Sequence, residues 1–252
     1  GTAVYGVCTK TTVNGVVTPG TRNDIDAITA AHQATDDSAT AVTPEFLFCY
    51  TYGILAGGDY TDRFAEALGT PGPRIPRTAN PHLFAEVVAH GEELLWLHTY
   101  GERMNTDDRP DRIPSSATIN WTDVPTGIPD DSGDFSYDAD TCTLHVADGR
   151  LEDVPPQVWE FEVSGMQVVK KWLGYRTARG AGRATSSASP LEHIRPTEWS
   201  PEWTEELLEL VTVLERTLEM TPAGTELLDR VCGGPLIDAS DLPEVPEALR
   251  KP

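Results

Sequence analysis

The chain has 252 residues, 39% of them hydrophobic, with six Trp, seven Tyr and six Phe, enough to build a folded core and too apolar for a disordered segment. Forty acids against 19 cations leave a formal net charge of −21, which excludes attraction of nucleic acid by the surface at large and is read first as a solvated acidic surface. No apolar run approaches the ~18 residues of a membrane span.

In chain order, residues 1–42 are turn-rich and weakly patterned, with one predicted strand pair about Asn14-Gly15, a favourable hairpin dipeptide. Residues 36–43 read as a loop. Thr43-Pro44-Glu45 predicts a helix start, since Thr caps and Pro suits the first helical position. The helix that follows (EFLFCYTYGILA) is apolar nearly all round and should be buried, stopping at Gly57-Gly58. TDRFAEAL gives a short helix, and residues 70–77 a proline-stiffened segment. Asn80-Pro81 opens an amphipathic helix to about Tyr100, with Leu83, Phe84, Val87, Leu94, Leu95 and Leu97 on its apolar face.

Residues 107–134 are Pro/Asp-rich with one strand at ATINWT. FSYD and CTLHVAD flank a turn at residues 138–140 and read as a hairpin. Pro155-Pro156 precedes a predicted strand, VWEFEV, and Ser164-Gly165 reads as a turn. In GMQVVKKWLGYR the spacing of Met166, Val169, Trp172 and Leu173 predicts a helix, with Trp172 and Tyr175 read as core. Residues 177–190 read as a mobile loop. Ser200-Pro201-Glu202 begins a strong helix carrying Leu207, Leu208, Val211, Leu214 and Leu218, and AGTELLDRV gives a last helix ending at Gly233-Gly234. Without regular βαβ alternation the fold class is α+β: mixed helices with a small antiparallel sheet in a single compact domain with irregular Pro/Gly-rich connections.

No part of the sequence assembles a catalytic set. Asn80-Pro81-His82-Leu83 holds only the first half of the motif with which adenine amino-methyltransferases hold a flipped base, and it sits where a helix cap is wanted. There is no phosphate-cradling Gly-rich turn and no nucleophile elbow. Glu160-Phe161-Glu162 meets no lysine before Lys170, out of register for a restriction-type nuclease. His90 and His98 lie eight apart, while His82, His145 and His193 are isolated, so no metal site is expected. Cys8, Cys49, Cys142 and Cys232 are scattered, as reduced thiols of a cytoplasmic protein would be. The start, Gly1-Thr2-Ala3-Val4, has neither initiator Met nor signal pattern, and the chain reads as part of something longer.

One segment departs from the overall charge. Val163 to Leu191 spans 29 residues without an acid, where 40 acids spread evenly would put between four and five, and it carries Lys170, Lys171, Arg176, Arg179 and Arg183, a local +5. Nearby carboxylates would repel phosphates as Lys and Arg attract them, so an acid-free cationic patch is what a polyanion requires. These five residues are the candidate phosphate contacts, with a helix that positions and a flexible arm that wraps. Gln167 is a candidate reader of an adenine edge, and Arg74 and Arg77 are candidate additional phosphate contacts. Five neutralised phosphates predict a log–log salt slope of roughly −4 to −5 on duplex DNA. The alternatives stay open: an ordinary solvated helix face for Lys170-Lys171, ion pairs for Arg74 and Arg77, a surface role for Gln167.

Several segments in order resemble a known family: FCYTYGILAGGDYTDRFAEAL, PRIPRTANPHLFAEVVAHGEELLWLHTYGE, FSYDADTCTLHVADG, VPPQVWEFEVSGMQVVKKWLGYR and SPLEHIRPTEWSPEWTEELLELVTVL. Together they are similar to the C-terminal specificity domain of type ISP restriction-modification enzymes, single-chain proteins that join nuclease, helicase-type ATPase, methyltransferase and target-recognition parts. The resemblance runs from about Thr43 to Leu242 and leaves residues 1–42 outside, so the expected organisation is an N-terminal segment 1–42 and a specificity domain 43–252. It implies a non-catalytic module of a phage-defence enzyme that recognises double-stranded DNA and presents it to a methyltransferase domain or subunit. S-adenosylmethionine and ATP/Mg are then expected only in upstream domains, and no cofactor in this chain. The rival expectation is a docking module that binds an acidic partner domain and never touches DNA.

Overall fold

Two separate hydrophobic cores organise the chain, each in its own compact unit: residues 1–106 with 220–252, and residues 107–219. The computed structural model describes residues 5–6, 12–13, 16–17, 19–69, 74–107, 109–110, 112–131, 133–178 and 198–241. Among them, helices accompany a small antiparallel sheet, the predicted α+β class.

The first unit opens with β1 (Tyr5–Gly6), β2 (Thr12–Val13) and β3 (Val16–Val17). β2 pairs with β3 with Val13 opposite Val16, the register that a hairpin about Asn14-Gly15 requires. The next element, helix α1 (Pro19–Thr35), was not predicted; it buries Ile25, Ile28 and His32. Ile25 and Ile28 join the same core as the later helices, so α1 belongs to this unit.

Helix α2 (Pro44–Leu55) begins as predicted, with Thr43 Oγ1 accepting from the Phe46 amide at 3.2 Å and Pro at the first position. The single short helix expected next is split at Phe64 into α3 (Gly58–Arg63) and α4 (Ala65–Leu68). β4 (Arg74–Ile75) pairs antiparallel with β1. Helix α5 (Pro81–His98) is capped by Asn80, whose Oδ1 accepts from the His82 and Leu83 amides at 3.0 and 3.2 Å. That geometry confirms Asn80-Pro81 as a cap. Two glycines let α2 and α5 approach closely: a Cβ on Gly91 would sit 1.9 Å from the Cys49 carbonyl oxygen, and one on Gly53 2.9 Å from the Val87 carbonyl oxygen.

In the second unit β5 (Asn120–Asp123), β6 (Phe135–Asp138), β7 (Thr143–Val146) and β8 (Gly149–Glu152) form a sheet in the order β5-β8-β7-β6, antiparallel throughout. The β6–β7 hairpin is the predicted one; β8 was not expected. Leu144, Val146 and Leu151 turn inward and are buried. The stretch predicted as one strand after Pro155-Pro156 is divided: α6 (Pro156–Trp159) comes first, then β9 (Glu162–Val163), which pairs with β10 (Met166–Gln167). Short apolar runs are ambiguous between strand and helix, and a proline at the first helical position decides here for a helical turn. Helix α7 (Val168–Gly174) follows directly.

The last helix, α8 (Pro201–Gly233), is continuous where two helices were predicted, with Pro222 inside it. Proline there removes one amide donor, and the helix continues past it. The boundary between the units falls within α8, after Glu219. Cys49, Cys142 and Cys232 are free thiols; Cys8 lies outside the described residues. Among those described, no helix is long and apolar enough to cross a membrane and no group of His, Cys, Asp and Glu has the arrangement of a metal site.

Candidate nucleic-acid interface

The acid-free segment begins in the β9–β10 ribbon and continues through α7. Val169 and Leu173, one helical turn apart, are fully buried against Val158, Leu207 and Val211. Of the three residues between them, Trp172 packs against the same core, while Lys171 is exposed and Lys170 half-buried on the outer side of α7. The Lys170 ammonium lies 4.9 Å from the ring centre of Trp159. Trp159 in turn stacks on Tyr137 at 5.5 Å, and the Tyr137 hydroxyl donates to the Val154 carbonyl at 2.7 Å. The Lys171 ammonium lies 5.0 Å from the ring centre of Tyr175, one turn on. Among the described residues neither lysine has a carboxylate within ion-pair distance. Both cations are therefore braced on aromatic rings and remain electrostatically unspent.

Arg176, expected beside them as a phosphate contact, is used otherwise. Its guanidinium stacks 3.6 Å from the centre of Trp172 and lies 5.6 Å from that of Trp203. One nitrogen donates to Glu206 at 2.7 Å and another to the Trp172 carbonyl at 3.2 Å. Only 21% of the side chain is exposed. Trp172, Trp199 and Trp203 form one aromatic cluster, with ring centres 6.3 and 5.5 Å apart along the series. Arg176 ties that cluster to the C-terminal end of α7, where a cation and an extra donor satisfy a terminal carbonyl.

Arg77 takes the ion-pair alternative. It is 4% exposed, in the first unit, and pairs with Asp24 at 3.2 Å, so it has no face to offer a phosphate. Arg74 lies in β4, opposite Gly6. Arg179 and Arg183 lie outside the described residues. Gln167 is half-buried at the end of β10, directly opposite Glu162.

Three residues enter the surface that sequence reasoning had missed or placed inside. Val163 and Met166 are each 52% exposed and Tyr175 58% exposed; Tyr175 was expected in the core. Val163 and Met166 face one another across the ribbon. The connection between them, Ser164-Gly165, has φ of +52° and +78°, both positive as a two-residue type I′ hairpin requires. The Ser-Gly pair was the available signal for this hairpin.

The model of the Type ISP C-terminal specificity domain matches residues 9–210, taking in the N-terminal helix α1 as well as the segments that carried the resemblance up to Leu210. Among solved structures, the chain is similar to part of a nuclease-deletion mutant of the Type ISP restriction-modification enzyme LlaGI in complex with a DNA substrate mimic, at 21% identity and a TM-score of 0.50, over 73% of this chain and 14% of that one. A DrdV–DNA complex solved by cryoEM aligns at 19% identity and a TM-score of 0.54, over 78% of this chain and 19% of that one. The ATP-dependent Type ISP restriction-modification enzyme LlaBIII bound to DNA aligns at 17% and 0.50, over 84% of this chain and 12% of that one. At these identities the likeness is one of fold, and the chain spans less than a fifth of the length of each of these proteins. No match is found among curated proteins. The chain belongs to the Type ISP C-terminal specificity domain family.

Proposed function

We propose that this chain recognises a duplex DNA target on behalf of a restriction-modification enzyme, and that methyl transfer and ATP-driven steps belong to other domains that hold S-adenosylmethionine and ATP/Mg. The observation that carries this reading is the pair Lys170 and Lys171, two cations with no described carboxylate partner in a chain of charge −21. Family membership points the same way, as do the DNA complexes of LlaGI, DrdV and LlaBIII. With so acidic a surface elsewhere, DNA is expected to meet the protein through a narrow face.

The engagement of Arg176 with Glu206 revises the electrostatics. Lys170, Lys171, Arg179 and Arg183 remain as phosphate contacts, so the salt slope falls to roughly −3 to −4 in log–log form. Lys170→Glu with Lys171→Glu is expected to abolish duplex binding at low salt and leave the fold intact. Parent-like binding by this double variant refutes the site. Loss of no DNA affinity together with loss of binding to a methyltransferase domain would favour the docking role.

A further inference from the structure

The geometry points to the β9–β10 ribbon as the base-reading element, entering the major groove of duplex DNA turn first so that its two faces lie against neighbouring base pairs, with Gln167 and Glu162 at base amino groups on one side and Val163 and Met166 at thymine methyls on the other. This rests on the reading of the domain as a DNA-recognition module and names the residues that would give it sequence preference.

Among the described residues the ribbon is a two-stranded sheet of its own, β9 pairing with β10. A two-stranded ribbon is one of the shapes that the major groove admits. Residues directly opposite across antiparallel strands project to the same side, and successive residues to opposite sides. Val163 with Met166 therefore makes one face, and Glu162 with Gln167 the other. An apolar pair buried in a core would be hidden and one on an ordinary solvated turn would be polar; this pair is half-exposed at 52% each.

The side-chain chemistry matches what that groove displays. Gln pairs with adenine N6 and N7, Glu accepts from cytosine N4, and apolar groups meet the thymine methyl. Glu162 is the one acid on the ribbon and repels phosphates, yet against a base edge it finds amino donors. Behind it the chain carries no acid from Val163 to Leu191, and Lys170 and Lys171 are placed to meet the backbone. The ribbon is preformed. Its turn has both φ values positive, the Val168 amide donates to the Phe161 carbonyl at 3.0 Å, and Val169 and Leu173 anchor the helix that follows. Reading residues held on a rigid element lose little freedom on binding.

The test is selection from a pool of randomised duplex DNA with the parent chain, with Glu162→Ala/Gln167→Ala, and with Val163→Ser/Met166→Ser. Glu162, Val163 and Met166 are exposed and Gln167 is half-buried, and circular dichroism checks that each variant folds. The inference expects the parent to enrich a sequence, and each variant to lose preference at particular positions by about ten- to hundredfold. Affinity for unselected duplex should not fall in either variant and should rise slightly for Glu162→Ala/Gln167→Ala, which loses an acid that repels phosphates, while Val163→Ser/Met166→Ser keeps the parent's salt slope. Enrichment of the parent's sequence by both variants overturns the ribbon assignment and leaves DNA recognition standing. Equal loss on selected and unselected duplex also overturns it, since the ribbon would then be a general contact. If the parent binds no duplex DNA, both readings fall, and a protein becomes the occupant of the apolar pair.

Discussion

Replacing Arg176 with Ala separates a structural cation from a DNA-binding one. The guanidinium lies 3.6 Å from the Trp172 ring centre with a fifth of its side chain exposed, between the exposed and desolvated limits of a cation–π contact, so about 1–2 kcal/mol is at stake there. The Glu206 side chain is 48% exposed, and an ion pair so wet adds less than about 1 kcal/mol. The hydrogen bond to the Trp172 carbonyl contributes about another 1 kcal/mol. These terms share one side chain and do not sum simply, so Arg176→Ala should destabilise the second unit by about 2–3 kcal/mol. Arg176→Lys should recover little, because an ammonium has neither the flat face for Trp172 nor the fork for Glu206 and the carbonyl. Urea denaturation followed by tryptophan fluorescence reads the loss, and duplex binding at several salt concentrations reads the other arm. The salt slope should stay as in the parent. An unchanged denaturation midpoint with a slope shallower by about 0.9, one phosphate's worth, would refute the structural role.

Gly91→Ala should destabilise the first unit by about 3 kcal/mol or more, because the new Cβ falls 1.9 Å from a backbone oxygen of buried α2 and neither helix has a flexible end to yield; Gly174→Ala, whose Cβ meets nothing within 4 Å, is the control, and equal midpoints for the two would contradict the close helix approach. His32, His90 and His98, all in the first unit, are held below the usual imidazole range by burial, the carbonyl of Thr78 partly offsetting this at His32. The folded state thus resists a proton that the unfolded chain takes up near pH 6.5. Stability is full above that pH and declines as pH falls through it. Urea midpoints between pH 8 and 5 should show this decline, and His90→Gln should lessen it; a parent and variant with parallel profiles would argue against burial at His90.

What was legible in the sequence was local. Thr43-Pro44 and Asn80-Pro81 announce helix starts because a capping oxygen and a fixed proline φ act within three residues. The β6–β7 hairpin and the helix of Val169 and Leu173 follow from periods of two and of 3.6. Helix α1 was hidden because few of its residues are strongly apolar: Ile25 and Ile28 bury, and its third inward residue is His32, whose Nε2 meets the Thr78 carbonyl at 3.1 Å across 46 residues of chain. Strand β8 was hidden because four residues, GRLE, show only Leu151 as an inward apolar side chain, while Gly149 is buried where a Cβ would strike Pro125.

The candidate site divides along the same line. An acid-free stretch identifies where cations can act, but the number available depends on which of them the fold has already engaged. Arg77 and Arg176 were indistinguishable from Lys170 and Lys171 in sequence, since their partners, Asp24 and Glu206, lie 53 and 30 residues away. Half of the Arg176 arrangement was within reach: Trp172 stands four residues before it, one helical turn. The exposed faces carry the opposite lesson. Val163, Met166 and Tyr175 look like core residues by type, and only the register of a two-residue turn and the buried stripe of α7 turn them outward. Charge composition thus singled out the candidate segment, and the fold replaced part of its cationic inventory with an aromatic and apolar one.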